Sequence, residues 1–566
     1  MPRLPDADVV VVGAGAGGLA AAWRLTTAGA RVVLLEAGRA YEPARDYPQS
    51  VGDFQLSDFP YDAVRDAAGS PRYDFGPAQP LEREWEGYRS WNAGQGRFVN
   101  GNERVHQVYS HVQGVGGSTL HFQGEAHRFH PDSLRMRSLL GVGTDWLIPH
   151  PELETYYAVA EEQMGVAAPV NPLRPGGGPH ILPPHPLSYG SARLAKGFAA
   201  VGSTLLPNSL AILSRPTTTR PQCNYCGGCT EGCPIGDKGS ADVTFLPPAR
   251  ATGRLDLRTE AHALEVELDA RGRAEAVVYA DARGARQRVS GRFVVLAGGS
   301  IETPRLLLAC RPKGHSGGLA NGSGQVGKNL TETLFWTSVG LLPERVDSWR
   351  GVAIDGSAWE HAVPKRGNGW TGGFRMATAS AAVGLRGPAA YAERLVPGFG
   401  AAHQRRLKEI FGHAVAVLAI GEWLPNDRTY VDLSPSMRDA HGMPRARIHS
   451  WLSPSERALA RTMADTVREV MRAGGAGEIV EETTSLDLFA ATHVLGTCRM
   501  GPDPRTSVAD RDGFCHEIPN LALADASLVP SSGCGDSPCL TITALAIRTA
   551  DRLLERGRAN ATATQD

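Results

Sequence analysis

The first apolar block of the chain is unbroken. Val9 to Val12 are four consecutive valines, and an apolar run without polar alternation marks a strand buried on both faces, as in a parallel sheet. Gly13, Gly15 and Gly18 follow, then an Ala/Leu-rich stretch to about Ala28 and a second apolar run, "RVVLLE", ending at Glu36. Strand, glycine turn, helix and strand in that order predict a βαβ unit. Residues 40–100 are rich in Pro, Asp and aromatics without periodicity and predict loops, and "NPLRPGGGPHILPPHPL" (171–187) predicts a connector in which His180 and His185 serve loop structure. From Leu255 to Ala297 apolar and polar positions alternate in "ALEVEL" and "EAVVYA", with turn signals in "DARGR" and "DARGAR". That pattern predicts a β-meander running into the buried strand "RFVVLAGG". A last helix is predicted from about Pro538 to Arg556, followed by a polar tail, "GRANATATQD", expected to be irregular.

At 566 residues the chain outgrows a single core, so two domains, discontinuous ones included, are expected. Its 58 Lys and Arg balance 59 Asp and Glu, which gives no field for nucleic acid or anionic lipid and favours small-molecule chemistry. No stretch approaches the ~20 apolar residues of a membrane helix. The start lacks the basic and apolar regions of a signal peptide and a twin-arginine pair, so a soluble, cytoplasmic protein is expected. Nine cysteines, four of them within Cys223–Cys233, fit one metal or cluster site in a reducing compartment better than secretory disulfides.

Chemistry enters with the glycines. In G-x-G-x-x-G the first glycine makes the turn, the second admits a pyrophosphate against the backbone, and the third packs helix on strand. Gly13, Gly15 and Gly18 fill these places, and Glu36 ends the second strand where an acid meets ribose hydroxyls. Further glycine-rich segments, "GVGGSTLHF" (114–122, with Gly116 and Gly117) and "LAGGSIETPRLLL" (296–308), suit close approach to a long cofactor and favour FAD over NAD. The run "CNYCGGCTEGCP" (223–234) spaces Cys223, Cys226, Cys229 and Cys233 as C-x2-C-x2-C-x3-C-P, the spacing of a bacterial ferredoxin. A zinc site would prefer two separated pairs.

Together with "DWLIPHPELETYY" (145–157), "ATHVLGTCRMG" (491–501) and "PNLALADASLVPSSGCGDSPCLTITALA" (519–546), these segments resemble the glucose–methanol–choline (GMC) oxidoreductase family, in the family's order from Val9 to Arg556. The resemblance implies an α/β fold: a Rossmann-like FAD-binding domain (1–45, 95–145, 215–335 and 485–566) with a discontinuous α+β substrate-binding domain (46–94, 146–214 and 336–484). It implies oxidation of an alcohol or sugar hydroxyl to the carbonyl by hydride transfer to flavin, with His493 as the base. The family carries Asn or His directly before the last helix, where this chain has Ser537, followed by Pro538. Serine can hydrogen-bond a substrate oxygen but cannot act as a base at neutral pH. As N-cap before Pro it also suits a helix start.

His121 lies near where some members attach flavin covalently and others hold a non-bonded histidine, and Asp525 falls in the segment that lies beside the flavin. Some dehydrogenases of the family carry a three-iron cluster on Cys-x5-Cys-x3-Cys, which Cys223, Cys229 and Cys233 match, leaving Cys226 as an extra thiol. A 3Fe-4S or 4Fe-4S cluster passing electrons to an acceptor protein or small subunit is therefore expected. The alternatives are an oxidase using oxygen, with the cysteine loop structural and its thiols free, and a non-catalytic flavin electron-transfer protein.

Overall fold

The four valines form the middle of a seven-stranded sheet. In the computed structural model, which describes residues 5–47, 72–98, 101–109, 111–174 and 181–562, Ala7–Val12 pairs in parallel with Val32–Leu35 on one side and with Arg286–Leu296 on the other. Leu255–Arg258 continues the parallel sheet beyond Val32–Leu35, and Leu521–Leu523 pairs with the end of Arg286–Leu296. Val10 and Val11 are wholly buried, as strands covered on both faces require. The helix Ala16–Thr27 packs against the last helix, Cys539–Thr562, and Arg24 ties the two through Asp551.

The eleven-residue strand Arg286–Leu296 belongs to two patterns at once. Its second half is parallel to Ala7–Val12, while its first half pairs antiparallel with Ala274–Ala280, which pairs in turn with His262–Leu268. The meander is thus present with both expected turns. Leu255–Arg258 leaves it, because its neighbour is Val32–Leu35 and not His262–Leu268. The last helix extends to Thr562, six residues past the expected end, since Arg and Ala in "GRANAT" sustain a helix already nucleated by the body before them. His180 lies outside the described residues. His185 is buried and structural: its ring meets Ile212 O at 2.9 Å and Tyr225 OH at 3.1 Å. No helix among the described residues is long and apolar enough to cross a membrane.

A second seven-stranded sheet is antiparallel at its centre, with Thr333–Leu341, Ala414–Glu422 and Phe374–Thr378 as neighbours. The period of two sends Leu334, Trp336, Phe374, Val417 and Ala419 into a core shared with Leu459, Met463 and Val467 of the helix Pro454–Gly474. That helix opens on a capping box, Ser453 with Glu456. The alternate residues, Thr333, Phe335, Leu418 and Ile420, line a cavity together with the carboxyl ends of the parallel strands. This is where ligands of such sheets bind.

The parallel sheet and its first helix meet at a glycine that no other residue replaces. A Cβ on Gly18 would stand 1.8 Å from the Gly13 carbonyl oxygen, backbone that cannot step aside. Gly18→Ala is expected to cost about 3 kcal/mol or more through this overlap, read as a lower thermal melting point; an unchanged melt would place the helix elsewhere.

Candidate active site

The cavity is about 680 Å³, within the range of small-molecule and cofactor sites. Its glycine-rich end is made of main chain. Gly13 takes φ +101°, a conformation that favours glycine, and its N–H donates to Leu35 O at 2.8 Å. Gly15 caps the helix Ala16–Thr27, and the nearest atom to a Cβ built there is Gly117 Cα at 4.0 Å, so its open side faces the cavity. Gly116 does not line the space. It supports the turn by donating its N–H to Ala14 O at 2.8 Å, and Gly117 lines the wall beside Gly15. Glu36 lines the same end, its oxygens accepting the N–H groups of Ala14 and Gly38, both at 2.8 Å. Burial raises its carboxyl to about 6 against these donors.

Asp525 is buried on the wall. It accepts from Gly299 N at 2.8 Å, Thr303 Oγ1 at 2.5 Å and Ser527 N at 2.8 Å, and burial raises its carboxyl against those donors. His121 lines the cavity with Nδ1 2.6 Å from Thr230 O.

At the other end stand His493 and Ser537. His493 Nδ1 lies 3.0 Å from Thr333 Oγ1. Its imidazole is pushed down to about 4: burial dominates, Glu125 works against it, and Arg375 and His127 add to it. Ser537 lines the wall, and its N–H donates to His127 Nδ1 at 3.0 Å. The last helix starts one residue later than its sequence suggests. Its first bond runs from Ile542 N–H to Pro538 O, so Ser537 is not its N-cap.

Behind this end lies a buried polar group that the motifs did not reveal. Arg375 grips Glu125 with two nitrogens, at 2.8 Å to Oε1 and 3.1 Å to Oε2. Asn208 Nδ2 donates to Oε1 at 2.9 Å, while Asn208 Oδ1 faces His127 Nε2 at 2.9 Å. Burial raises the Glu125 carboxyl, but Arg375 with His127 and Asn208 outweighs it and brings it to about 2. Two signals in the sequence point there: Arg375 is a lone charge inside the apolar strand "FRMAT", and Glu125 and His127 sit two apart just after the Gly116–Gly117 segment.

Cys223, Cys226, Cys229 and Cys233 line one small cavity with Asp237. Amides donate to two of the sulfurs, Tyr225 N to Cys223 Sγ at 3.4 Å and Gly228 N to Cys226 Sγ at 3.5 Å. The donor chemistry suits iron and sulfide, but the arrangement does not fit a cluster. The space is about 10 Å³, room for about one water; Cys233 Sγ donates to Asp237 Oδ1 at 2.8 Å; and among the described residues no group of three or more His, Cys, Asp or Glu side chains is placed to hold a metal ion. The expected iron–sulfur site is therefore not supported by the packing. Instead the run is fastened to the main cavity. Thr230 lines that cavity, and the buried Lys238 ammonium donates to Cys229 O, Leu120 O and Phe122 O at 2.6, 2.8 and 3.0 Å.

Comparison with known proteins follows these lines. Two family models described as GMC oxidoreductase match residues 213–334 and 425–546, and one described as FAD binding domain matches residues 8–56. A 2-methyl-1,2-propanediol dehydrogenase of Mycolicibacterium austroafricanum is 30% identical over 97% of this chain and 95% of its own. The fructose dehydrogenase large subunit of Gluconobacter japonicus is 29% identical over 97% and 98%. Among solved structures, pyridoxine 4-oxidase from Mesorbium loti superposes with a TM-score of 0.62 at 18% identity, covering 97% of this chain and 99% of that one, which shows the shared fold.

The open side of Gly15 makes a test that separates binding from folding. Gly15→Val is expected to fold, because the nearest protein atom to a Cβ there is 4.0 Å away, yet to lose FAD on purification, because the side chain enters the space that backbone N–H groups offer to a pyrophosphate. Flavin absorbance and a melt of the FAD-free protein read the two effects; a yellow variant would overturn the placement.

Proposed function

The chain belongs to the GMC oxidoreductase family, and from that premise we propose that it is an FAD-dependent dehydrogenase that oxidises an alcohol or sugar hydroxyl to the carbonyl, with His493 as the base. The observation that carries this reading is a neutral imidazole on the wall of a cavity whose far end is a glycine cradle of the FAD-binding type. The named substrates of the relatives, a diol and fructose, support the CH–OH chemistry. Nine free cysteines fit a reducing, cytoplasmic setting. In this reading the nucleotide part comprises 1–45, 95–145, 215–335 and 485–566, and the remainder holds the substrate.

FAD, when bound, supplies the acceptor for the hydride of the carbinol carbon. The protein's own residues handle the proton. For His493 to accept it at Nε2, Nδ1 carries the ring hydrogen and donates it to Thr333 Oγ1, the partner found at 3.0 Å. Ser537 offers a hydroxyl on the same wall. His121, held at Nδ1 by the Thr230 carbonyl, and Asp525, held by three donors, shape the cofactor's wall. Electrons leave to an external acceptor. Iron and sulfide analysis of anaerobically purified protein tests the cysteine run directly: protein free of both leaves the run as cavity wall, whereas stoichiometric iron and sulfide would restore the cluster.

The depressed imidazole sets the pH profile. Burial lowers the pKa, so the base form persists as pH falls below 6.5 and is lost only near pH 4. The rate of flavin reduction is expected to stay level from pH 8 to about 5 and to fall to half near pH 4; a break near 6.5 would mean that the imidazole stays hydrated.

His493→Ala is expected to retain FAD and to slow reduction by about 10²- to 10⁴-fold, read by rapid mixing with substrate. An unchanged rate would make His493 structural.

A further inference from the structure

The substrate end of the cavity has one apolar side and one ionic side. Phe335, Ile420 and Arg375 stand in register on three neighbouring strands, Phe335 opposite Ile420 and Ile420 opposite Arg375. Two strand spacings, about 10 Å, therefore separate the backbones that carry Phe335 and Arg375. Thr333, the partner of His493, lies two residues from Phe335 on the same face. Glu125, held by Arg375, lines the cavity near His493, close enough for each to alter the other's ionisation.

An ionised carboxylate has about four acceptor positions. On Glu125, Oε1 accepts from Asn208 and lies 2.8 Å from an Arg375 nitrogen in the ion pair, and Oε2 accepts one hydrogen bond, from Arg375. His127 Nε2, 3.7 Å from Oε1, is too distant to use an acceptor position. One acceptor position on Oε2 remains in a group that lines the cavity. The charges around it cancel: Glu125 pairs with Arg375, and Asp536 pairs with Arg174 at 2.8 Å. A carboxylate or an ammonium entering here meets no uncompensated counter-charge and would lose its hydration.

We infer that Glu125 is a substrate-binding residue whose Oε2 accepts a hydrogen bond from a second hydroxyl of the molecule being oxidised, so that the substrate is an uncharged polyol or sugar and not a monoalcohol, an acid or an amine. The inference rests on the proposed oxidation of a hydroxyl beside His493. The reacting hydroxyl faces the imidazole, the second faces Glu125, and the C–H face of the carbon skeleton lies on Phe335 and Ile420. A substrate lacking the second hydroxyl leaves the carboxylate's last position empty after desolvating it, the situation in which polar sites discriminate strongly.

The test uses the wild-type holoenzyme under anaerobic conditions. Flavin reduction is measured with a panel of small diols and pyranoses, each paired with the analogue lacking one neighbouring hydroxyl and with the analogue bearing a carboxylate there. The best polyol is expected to exceed both analogues by at least about 10²-fold in second-order rate. Binding of the same pairs to the His493→Ala holoenzyme, followed by calorimetry, is expected to show the same order without turnover. Equal values for polyol and deoxy analogue, or preference for the acid, would overturn the inference while leaving the reaction assignment intact. Failure of every hydroxyl compound to reduce the flavin would instead remove the reaction assignment, and the inference with it. In Glu125→Leu/Arg375→Met, which removes both charges together so that neither is stranded, the polyol preference is expected to fall below about tenfold. A preference kept at the wild-type level, in protein with normal flavin content, would assign the second hydroxyl to another group.

Discussion

The contact of backbone on backbone at the glycine turn is the constraint from which the rest of the site follows. Gly18 lies against the Gly13 carbonyl, and Gly17 against Ala524 O, where a Cβ would stand 1.8 Å away. These two contacts hold the first helix to the end of its own strand and to the segment after Leu521–Leu523. Only with that helix so close can Gly15 open toward the cavity and Gly117 approach it from the other side. A side chain at Gly17 or Gly18 would move the helix, and with it the last helix, Cys539–Thr562, that packs on it.

Enclosing such a cavity creates an electrostatic problem, and each buried acid is satisfied differently. Glu36 relies on neutral amide donors and keeps a carboxyl raised to about 6, whereas Glu125 has a guanidinium and is held near 2. The difference is what physics expects of dipoles against a full opposite charge. His493 is offered no hydrogen-bonded carboxylate in the described contacts, only a threonine hydroxyl at Nδ1, and burial leaves it neutral. A carboxylate hydrogen-bonded to the ring would raise its pKa, whereas a threonine hydroxyl adds no charge that favours the imidazolium. The carboxylates of Glu36 and Glu125 are thus taken up by amides and by an arginine, and the His493 imidazole is left neutral.

Legibility in the sequence followed the range of the interactions. The parallel strand, the glycine turn and the position of Glu36 are local patterns and stand where the pattern put them, and the meander does so from His262 onward, while Leu255–Arg258 joins the parallel sheet instead. The helix end expected at Arg556 and the start expected at Pro538 were displaced because helix boundaries depend on neighbours and not on caps alone. Glu125, Arg375, Asn208 and Thr333 come from four separate segments joined only by sheet register and loop packing. No spacing rule connects residue 125 with residue 375; what the chain shows is a charge where the apolar pattern has no place for one.

The cysteine run shows the opposite case, a spacing more specific than the structure that holds it. Its residues carry several unrelated contacts: Tyr225 meets His185, Cys229 O receives Lys238, Thr230 O holds His121, and Glu231 pairs with Arg386. Each contact except the last two involves a buried partner, and together they fix the segment from Leu120 to Phe122, which the Lys238 ammonium binds on both sides of His121. A loop whose main chain must turn repeatedly to present carbonyls inward needs small residues and glycines, and cysteine is among the small residues that tolerate burial. The wall of the main cavity therefore depends on the backbone path of this run, while its thiols pack around a space no larger than a water. That path alone is enough to place His121, whatever the sulfurs do.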